Sequence, residues 1–513
     1  MATVLSPAKR YHVTTFGCQM NEHDSERMRG MLESLGYAPA DAPDDADLIL
    51  FNTCSIRESA DSRFVAHLGH AKRMKRERPE IVVGVGGCWA QSVKDEVFER
   101  FPFVDVAFGP GQINRLAEFL TSDSLSAQGY FEFEGFPAHL PTKRDRHHQA
   151  WVQIAVGCNL KCSYCIVPST RGRESSRPFE QLLDEVRGLA ADGVREVTLL
   201  GQNVNAYGRD LRTTEPLPDD LLPYAEAAKR PTGRPVGAGP AGSRGSETPT
   251  TESATASGAG GHGLPAVRNT GGGAAVRARP RTFAELLLAV ADVEGIERIR
   301  YTSPHPKDIR EDVVAVHAGR PEVCQHIHLP LQAGSSRILK RMRRTYDRER
   351  FLDRVAMIRE RCPDIALTTD IIVGFPGETE EDFVETLEVV DQVGFDGAFT
   401  FVFSPRRGTE AATFTEGLVP HPVKVERMER LVELVQRRGH ERTQRFVGRT
   451  LDVLIEGPSR NDPERLRGRT THNKVVNFAG FGEPGETVPV EITSATSQTL
   501  QGEMSLLARL GAA

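Results

Sequence analysis

Three short runs in the first hundred residues share one design. YHVTTFGC, ADLILFNTC and IVVGVGGC are each apolar and β-branched, and each stops at a cysteine: Cys18, Cys54 and Cys88. Helical segments follow them, as at 21–36 (NEHDSERMRGMLESLG) and 94–101 (KDEVFERF). Wholly apolar strands alternating with helices specify a parallel, doubly wound α/β sheet. Ligands of such sheets sit outside the carboxyl ends of the strands, where all three cysteines fall. Neighbouring strand ends lie about 5 Å apart, so the thiols can gather around one centre despite sequence gaps of 36 and 34 residues. Gly17, Thr53 and Gly87 beside them leave room for a bulky cofactor. The competing reading is three buried structural cysteines, a common fate of free cysteine.

A second cysteine set is local. GCNLKCSYC places Cys158, Cys162 and Cys165 at C-x3-C-x2-C spacing. Three thiolates in one loop can hold an iron–sulfur cube while leaving one iron open to substrate, whereas electron-transfer cubes are closed by four cysteines. Zinc sites more often show paired C-x2-C units or matched histidines, and no fourth ligand lies nearby. Cys324 and Cys362 have no partner at metal spacing and read as buried structural residues. His326 and His328 alternate in a strand and so share a face.

From residue 151 the β–α alternation resumes. WVQIAVGC delivers the cysteine loop to a strand end; REVTLLGQNVNAYG, RIRYTSPHP, HIHLPLQAGS, IALTTDIIVGFPGET and FDGAFTFVFSPRRGT are further strands, with amphipathic helices such as 179–193 between them. Polar residues and glycines just past each strand describe a (β/α) barrel with its active site at the strand carboxyl ends. The unit count is nearer six than eight, so the barrel is partial. Residues 211–280 interrupt it: 12 Gly, 9 Pro and a single aromatic among 70 residues cannot offset the entropy of ordering, so the span reads as a disordered insert. From about 443, short alternating strands with Gly and Pro punctuation read as a small antiparallel β-barrel.

The net charge of −6 excludes a globally basic nucleic-acid binder, so any RNA contact is local. Two basic runs qualify: 460–474 with Arg460, Arg465, Arg467, Arg469 and Lys474, and RILKRMRRTYDRER at 337–350. Each can be an RNA backbone contact or a solvated face. Lys143, Arg144 and Arg146, in the connector at 121–150, read as a solvated turn. No apolar run reaches the ~18 residues a membrane span needs, and the first residues lack a signal-peptide core. A cytoplasmic protein is expected.

The loop C-x3-C-x2-C with Tyr164 before the last cysteine resembles the signature of the radical S-adenosylmethionine (SAM) superfamily. FGCQMN, NTCSIRESA and GVGGCWAQ resemble the N-terminal domain of radical-SAM methylthiotransferases, and RNDPERLRGRTTHNKVVNF resembles a TRAM domain, an RNA-binding β-barrel. The resemblance implies three domains: 9–125 with an auxiliary cluster, 144–440 as the radical-SAM barrel, and 443–511 as TRAM. It implies two [4Fe–4S] clusters, one on Cys158, Cys162 and Cys165 that cleaves SAM, and one on Cys18, Cys54 and Cys88 that holds the sulfur to be delivered. One SAM would methylate that sulfur and a second would generate the radical. Tyr164, Gln202, Asn203, Gly374, Gly377 and Arg406 become candidate SAM contacts; Arg407 stands where the family more often has proline. The QNVNAYG and GRTTHNKVVNF stretches look most like the branch that methylthiolates N6-isopentenyladenosine in the tRNA anticodon stem-loop, acting as a monomer. Sister branches modify threonylcarbamoyl-adenosine or a ribosomal-protein aspartate, and a non-catalytic iron–sulfur RNA-binding protein is the reading from another class. The sulfur and electron donors are not legible.

Overall fold

A computed structural model describes residues 8–54, 58–121, 140–225, 278–460 and 462–505. The first domain is a sheet of β1 (Arg10–Thr15), β2 (Ala38–Pro39), β3 (Leu48–Thr53), β4 (Val82–Gly87) and β5 (Val106–Phe108), in spatial order β2-β1-β3-β4-β5. Every pairing is parallel. The central strand β3 is buried along its length because helices cover both faces. Ile49, Phe51, Val83 and Val85 pack on one side with Phe64 and Trp89, and Leu48, Leu50 and Val106 pack on the other with Met28 and Phe108. This strand order reverses between β1 and β3, the position where open α/β sheets bind ligands.

The second domain contains β6 (Gln149–Gln153), β7 (Ala155–Val156), β8 (Ser175–Ser176), β9 (Glu196–Leu200), β10 (Arg212–Thr213), β11 (Arg279–Pro280), β12 (Arg298–Tyr301), β13 (His326–His328), β14 (Ala366–Val373) and β15 (Gly397–Val402). Strands β6, β9 and β12 are parallel neighbours, as are β13, β14 and β15. A parallel bridge from Ile299 to Val323 joins the two halves, so six strands curve into an open barrel. Outward residues such as Val197, Ile299, Ile327, Leu367 and Ile371 make one core with the surrounding helices. Alternation then turns His326, His328, Thr368 and Asp370 toward the lumen, where His328 Nδ1 meets Thr368 Oγ1 at 3.0 Å and its Nε2 meets Asp370 at 3.3 Å. His326 Nε2 meets the same Thr368 Oγ1 at 2.8 Å, so both histidines have partners in the barrel wall.

Part of the insert expected to be disordered over 211–280 is structured. Residues 226–277 lie outside the described residues, but both ends are structured. β10 pairs antiparallel with β11, and Leu221, in the turn Asp219–Tyr224, is buried in the barrel core. Averaging over 70 residues hid an anchoring leucine and a two-strand clasp.

The third domain is a closed barrel of β16 (Thr450–Pro458), β17 (Leu466–Thr470), β18 (Val475–Ala479), β19 (Thr487–Ala495) and β20 (Thr499–Met504), in the order β16-β17-β18-β20-β19. Its neighbours are antiparallel except β18 and β20, which are parallel. β17 lies where the sequence reads as a basic loop. Its LRGRT carries no apolar alternation, and the ladders to β16 and β18 hold it instead. Gly468 is required there, because a Cβ would sit 2.4 Å from Val453 Cγ1.

This small barrel docks against the amino ends of the large barrel's strands. Arg298 donates to the carbonyls of Arg469 (2.6 Å) and Asp452 (3.0 Å), and Arg300 to that of Thr470 (2.8 Å). Lys474 is buried and donates to the Asp396 carbonyl at 2.8 Å and to Thr443 Oγ1 at 3.0 Å. Burial pulls its ammonium down to about 8. Among the described residues no helix is long and apolar enough to cross a membrane.

Candidate functional site

All three cysteines of the first domain lie at the carboxyl edge of its sheet, beyond β1, β3 and β4. Cys18 caps the helix Gln19–Ser34, and its thiol faces Asn21 Oδ1 at 3.4 Å. Two glycines shape the approach. A Cβ on Gly17 (φ +147°) would sit 2.6 Å from Cys54 Cβ, and one on Gly87 (φ +96°) 2.4 Å from the Thr53 carbonyl. A hydrogen bond with the Cys54 thiol holds Cys18 down at about 6, whereas burial pushes Cys88 up. Two of the three thiols are buried, and thiolate sulfur suits a soft metal centre.

The helix Gln19–Ser34 carries an unusual buried face. His23, Asp24, Glu26 and Arg27 are buried toward the barrel domain, whereas Asn21 and Ser25 are buried against the first domain's own sheet, where they meet Asn52 and Thr15. Arg27 Nη1 donates to Gln153 Oε1 at 3.0 Å, and Lys143 N–H to the Glu26 carbonyl at 3.0 Å. Arg171, from the barrel domain, is buried there. Its Nη2 donates to Asp24 at 2.9 Å and its Nε to Cys88 Sγ at 3.3 Å. The contact of Arg171 with a cysteine of another domain is not legible in its own run, RGRESSRP at 171–178.

The second cysteine set sits at the carboxyl ends of the large barrel's strands. Its loop is fixed at several points. Cys158 N–H donates to the Gly172 carbonyl at 3.1 Å, Ser163 N–H to that of Met342 at 3.0 Å, and Ala411 N–H to that of Ser163 at 2.7 Å. Gly157 (φ +70°) permits the entry, since a Cβ there would lie 2.1 Å from the Arg173 carbonyl. Arg344 Nη1 donates to Cys162 Sγ and to Tyr164 Oη, both at 3.4 Å, and its Nε to Tyr346 Oη at 3.0 Å. Burial pushes Cys158 up to about 11 and Cys165 up to about 12. Ligation therefore displaces protons from these thiols.

All eight cysteines are free thiols. Among the described residues, no group of three or more His, Cys, Asp or Glu side chains is placed to hold a single metal ion. A cube spreads its thiolate ligands wider than one ion does, and two all-cysteine triads on glycine-opened backbones fit that larger group.

Polar atoms past the other strand ends lack partners. Gln202 Oε1, Asn203 Oδ1 and His305 Nε2 are buried without a hydrogen bond, a cost of about 1–3 kcal/mol apiece unless a ligand meets them. Asn203 is held in place, its Nδ2 donating to Asp308 Oδ2 at 3.0 Å while Arg209 clamps Asp308 at 2.5 Å. His305 lies edge-on to Tyr346 at 5.4 Å, and burial lowers its imidazole to about 2, so it is neutral. The sequence signal for His305 is SPHP just past a strand.

Gly374 (φ +74°) and Gly377 (φ +88°) open toward Lys424 and Arg341, letting the loop fold under the helix His421–Gln444. Phe375 between them is the residue that reaches the cysteine loop, edge-on to Tyr164 at 6.5 Å. Arg406 is half-buried, its carbonyl accepting from Thr409 N–H and Oγ1. The neighbouring Arg407 crosses to the first domain and grips both oxygens of Glu96, at 2.7 and 2.5 Å.

Both basic runs are largely committed to the protein. In 337–350, Arg337 pairs with Asp382, Arg341 Nε donates to the Pro376 carbonyl, Arg343 pairs with Glu410, and Arg348 with Glu388. In 460–474, Arg467 and Arg469 both pair with Glu456, and Lys474 is buried. Arg460 is exposed. Helix and strand geometry put carboxylates opposite the arginines, which a count of charge along the chain does not show.

Three family models match the chain: the uncharacterized protein family UPF0004 over 10–109, the Radical SAM superfamily over 152–247 and 259–390, and the TRAM domain over 444–505. A tRNA-2-methylthio-N(6)-dimethylallyladenosine synthase from Frankia alni is 41% identical over 97% of this chain and 89% of its own length. One from Desulforamulus reducens is 39% identical over 98% and 97%. Among solved structures, the radical S-adenosylmethionine methyltransferase TsrM from Kitasatospora setae overlays with a TM-score of 0.47 at 13% identity, covering 77% of this chain and 75% of that one.

Proposed function

The chain belongs to the radical SAM methylthiotransferases, in the family of tRNA-2-methylthio-N(6)-dimethylallyladenosine synthases, and on that premise we propose that it methylthiolates C2 of N6-isopentenyladenosine in the anticodon stem-loop of tRNA. The observation that carries the reading is the pair of complete cysteine triads, each on backbone opened by glycine, at the carboxyl ends of two sheets that Arg171 ties together. Cys158, Cys162 and Cys165 would hold a [4Fe–4S] cluster that binds SAM, and Cys18, Cys54 and Cys88 a second. When bound, these groups supply a radical able to take hydrogen from an unactivated C–H bond, and a soft site for sulfur.

The chain's own residues do the positioning. Gln202 and Asn203 present unpartnered acceptors suited to the amino group of SAM, and the Asp308–Arg209 pair keeps Asn203 in one orientation. Arg406 offers a planar fork suited to a carboxylate. Tyr164 and Phe375 form an apolar wall beside the cysteine loop that excludes water from a reactive radical. Arg344 supplies fixed positive charge next to Cys162. A single chain takes up the stem-loop, with the TRAM barrel contributing RNA contacts.

The test is a nucleoside digest of tRNA from a strain lacking the gene. Isopentenyladenosine without its methylthio group should accumulate, and the gene supplied in trans should restore it. If threonylcarbamoyl-adenosine or a ribosomal protein loses the modification instead, the substrate assignment is wrong. Purified, reduced protein that yields no 5′-deoxyadenosine from SAM would overturn the enzymatic reading.

A further inference from the structure

One residue links the two cysteine sets, by its guanidinium on one side and by its backbone on the other. Arg171 ends the helix Val167–Arg171, which starts two residues after Cys165. The next residue, Gly172 (φ +75°), turns the chain so that its carbonyl accepts the Cys158 N–H at 3.1 Å. Arg171 is thus anchored to the central loop at both ends, through the chain to Cys165 and through Gly172 to Cys158. Its side chain leaves that domain. Nε donates to Cys88 Sγ at 3.3 Å, and Nη2 to Asp24 at 2.9 Å. Asp24 lies on the helix that Cys18 caps, so the same fork addresses two of the three cysteines of the first domain, one directly and one through a helix.

The site is closed. Arg171, Asp24 and Cys88 are all buried. A buried guanidinium with no partner is too costly to keep, and removing one member of a buried pair typically costs about 3–5 kcal/mol. The contact is therefore a fixed element of the interface and not an incidental surface pair. An N–H donated to a ligating sulfur, with a full positive charge behind it, stabilises added negative charge on an iron–sulfur centre and so raises its reduction potential.

The geometry points to Arg171 as a positioning residue for sulfur delivery: it fixes the auxiliary cysteine set against the SAM-cleaving set and, through Cys88, sets the reduction potential of the centre held there. This inference rests on the assignment of Cys18, Cys54 and Cys88 to an iron–sulfur cluster. Lysine cannot replace the fork, because an ammonium is a single point and cannot meet a thiolate and a carboxylate in fixed directions. Asp24 is the orienting partner: without its carboxylate the guanidinium loses its second anchor.

The test uses full-length protein with Cys158, Cys162 and Cys165 all changed to Ala, so that only the auxiliary centre remains, reconstituted anaerobically. Iron content, EPR spectrum and midpoint potential are compared in this background with and without Arg171→Gln, Arg171→Lys and Asp24→Asn. Arg171→Gln should keep the iron, lower the midpoint potential and alter the EPR line shape. Arg171→Lys should recover only part of the shift, and Asp24→Asn should fall between wild type and Arg171→Gln. With all six cysteines present, Arg171→Gln should lower methylthiolated product per 5′-deoxyadenosine at least tenfold. Iron retained with an unmoved potential and spectrum overturns the role of Arg171 alone. Absence of iron in the Arg171 background overturns the cluster assignment and this inference with it. Should Arg171→Gln fail to fold, Arg171→Lys and Asp24→Asn decide by the same potential and spectrum.

Discussion

Arg300 in the large barrel donates through Nη2 to the carbonyl of Thr470 in the small one, at 2.8 Å, while its Nε holds Glu196 at 2.9 Å. Two strands of one domain and a turn of another are thereby locked at a single side chain. The turn lies across the amino ends of β9 and β12, opposite the end that carries the cysteine loop. The third domain thus forms the floor beneath the lumen.

Replacing Arg300 by Met removes the guanidinium and leaves Glu196, itself buried, without its cation. The expected loss is about 3–5 kcal/mol, concentrated at this junction. Limited proteolysis should release a fragment beginning near residue 443 sooner than from wild type. An unchanged digestion pattern and thermal midpoint would show that the floor is held by other contacts.

Arg344 contacts Cys162, Tyr164 and Tyr346 at once. Arg344→Lys keeps a charge but loses the fork, and partners of metal ligands are typically worth 10–100-fold in affinity or activity. We expect SAM cleavage to fall by about that range while iron at the central site is retained. Wild-type cleavage with wild-type iron would remove Arg344 from the site.

Asn203 combines an anchored Nδ2 with an unpartnered Oδ1. If that oxygen receives the SAM amino group, Asn203→Ala should raise the KM for SAM by about tenfold, with a smaller change in kcat, as loss of uniform binding does. A lower kcat at unchanged KM would instead place Asn203 with the reacting atoms.

Glu26 gives a pH signature for the packing of the first two domains. Burial, with the nearby Asp145 carboxylate, raises its carboxyl to about 7. A carboxyl raised on folding adds stability that is complete below its ordinary value of about 4.3 and is lost as pH climbs through 7. Glu26→Gln stays neutral throughout. The variant should match wild type in thermal midpoint at pH 4 and exceed it at pH 8, by differential scanning calorimetry. Parallel midpoint curves across that window would mean the carboxyl is solvated.

What the sequence reveals of this molecule is what local pattern encodes. The runs ending at Cys18, Cys54 and Cys88 are apolar for as long as a buried strand is, and Cys158, Cys162 and Cys165 need no distant partner to converge. The helix Gln19–Ser34 is opaque for the opposite reason. Its His23, Asp24 and Arg27 look like a solvent face and are buried, because their surroundings belong to another domain. The Arg171–Asp24 contact joins residues 147 apart, and no periodicity predicts that. Lys474 and Arg469 count as basic charge along the chain but are matched by Asp396, Thr443 and Glu456 once strands are paired. Composition registers a charge; only the fold supplies its counterpart.

The two-residue clasp of β10 on β11 sets Thr213 opposite Arg279, with Arg281 Nη2 gripping Glu215 beside it at 2.5 Å. For a segment closed at its base, the loop-closure entropy changes by about 0.6 kcal/mol for each doubling of length. The barrel is thereby insulated from how many residues run between the two strands. Changing the length of the segment between the clasped strands, with β10, β11 and Leu221 kept, should leave the thermal midpoint close to that of wild type, and a large drop would show that the clasp is not what closes the barrel there.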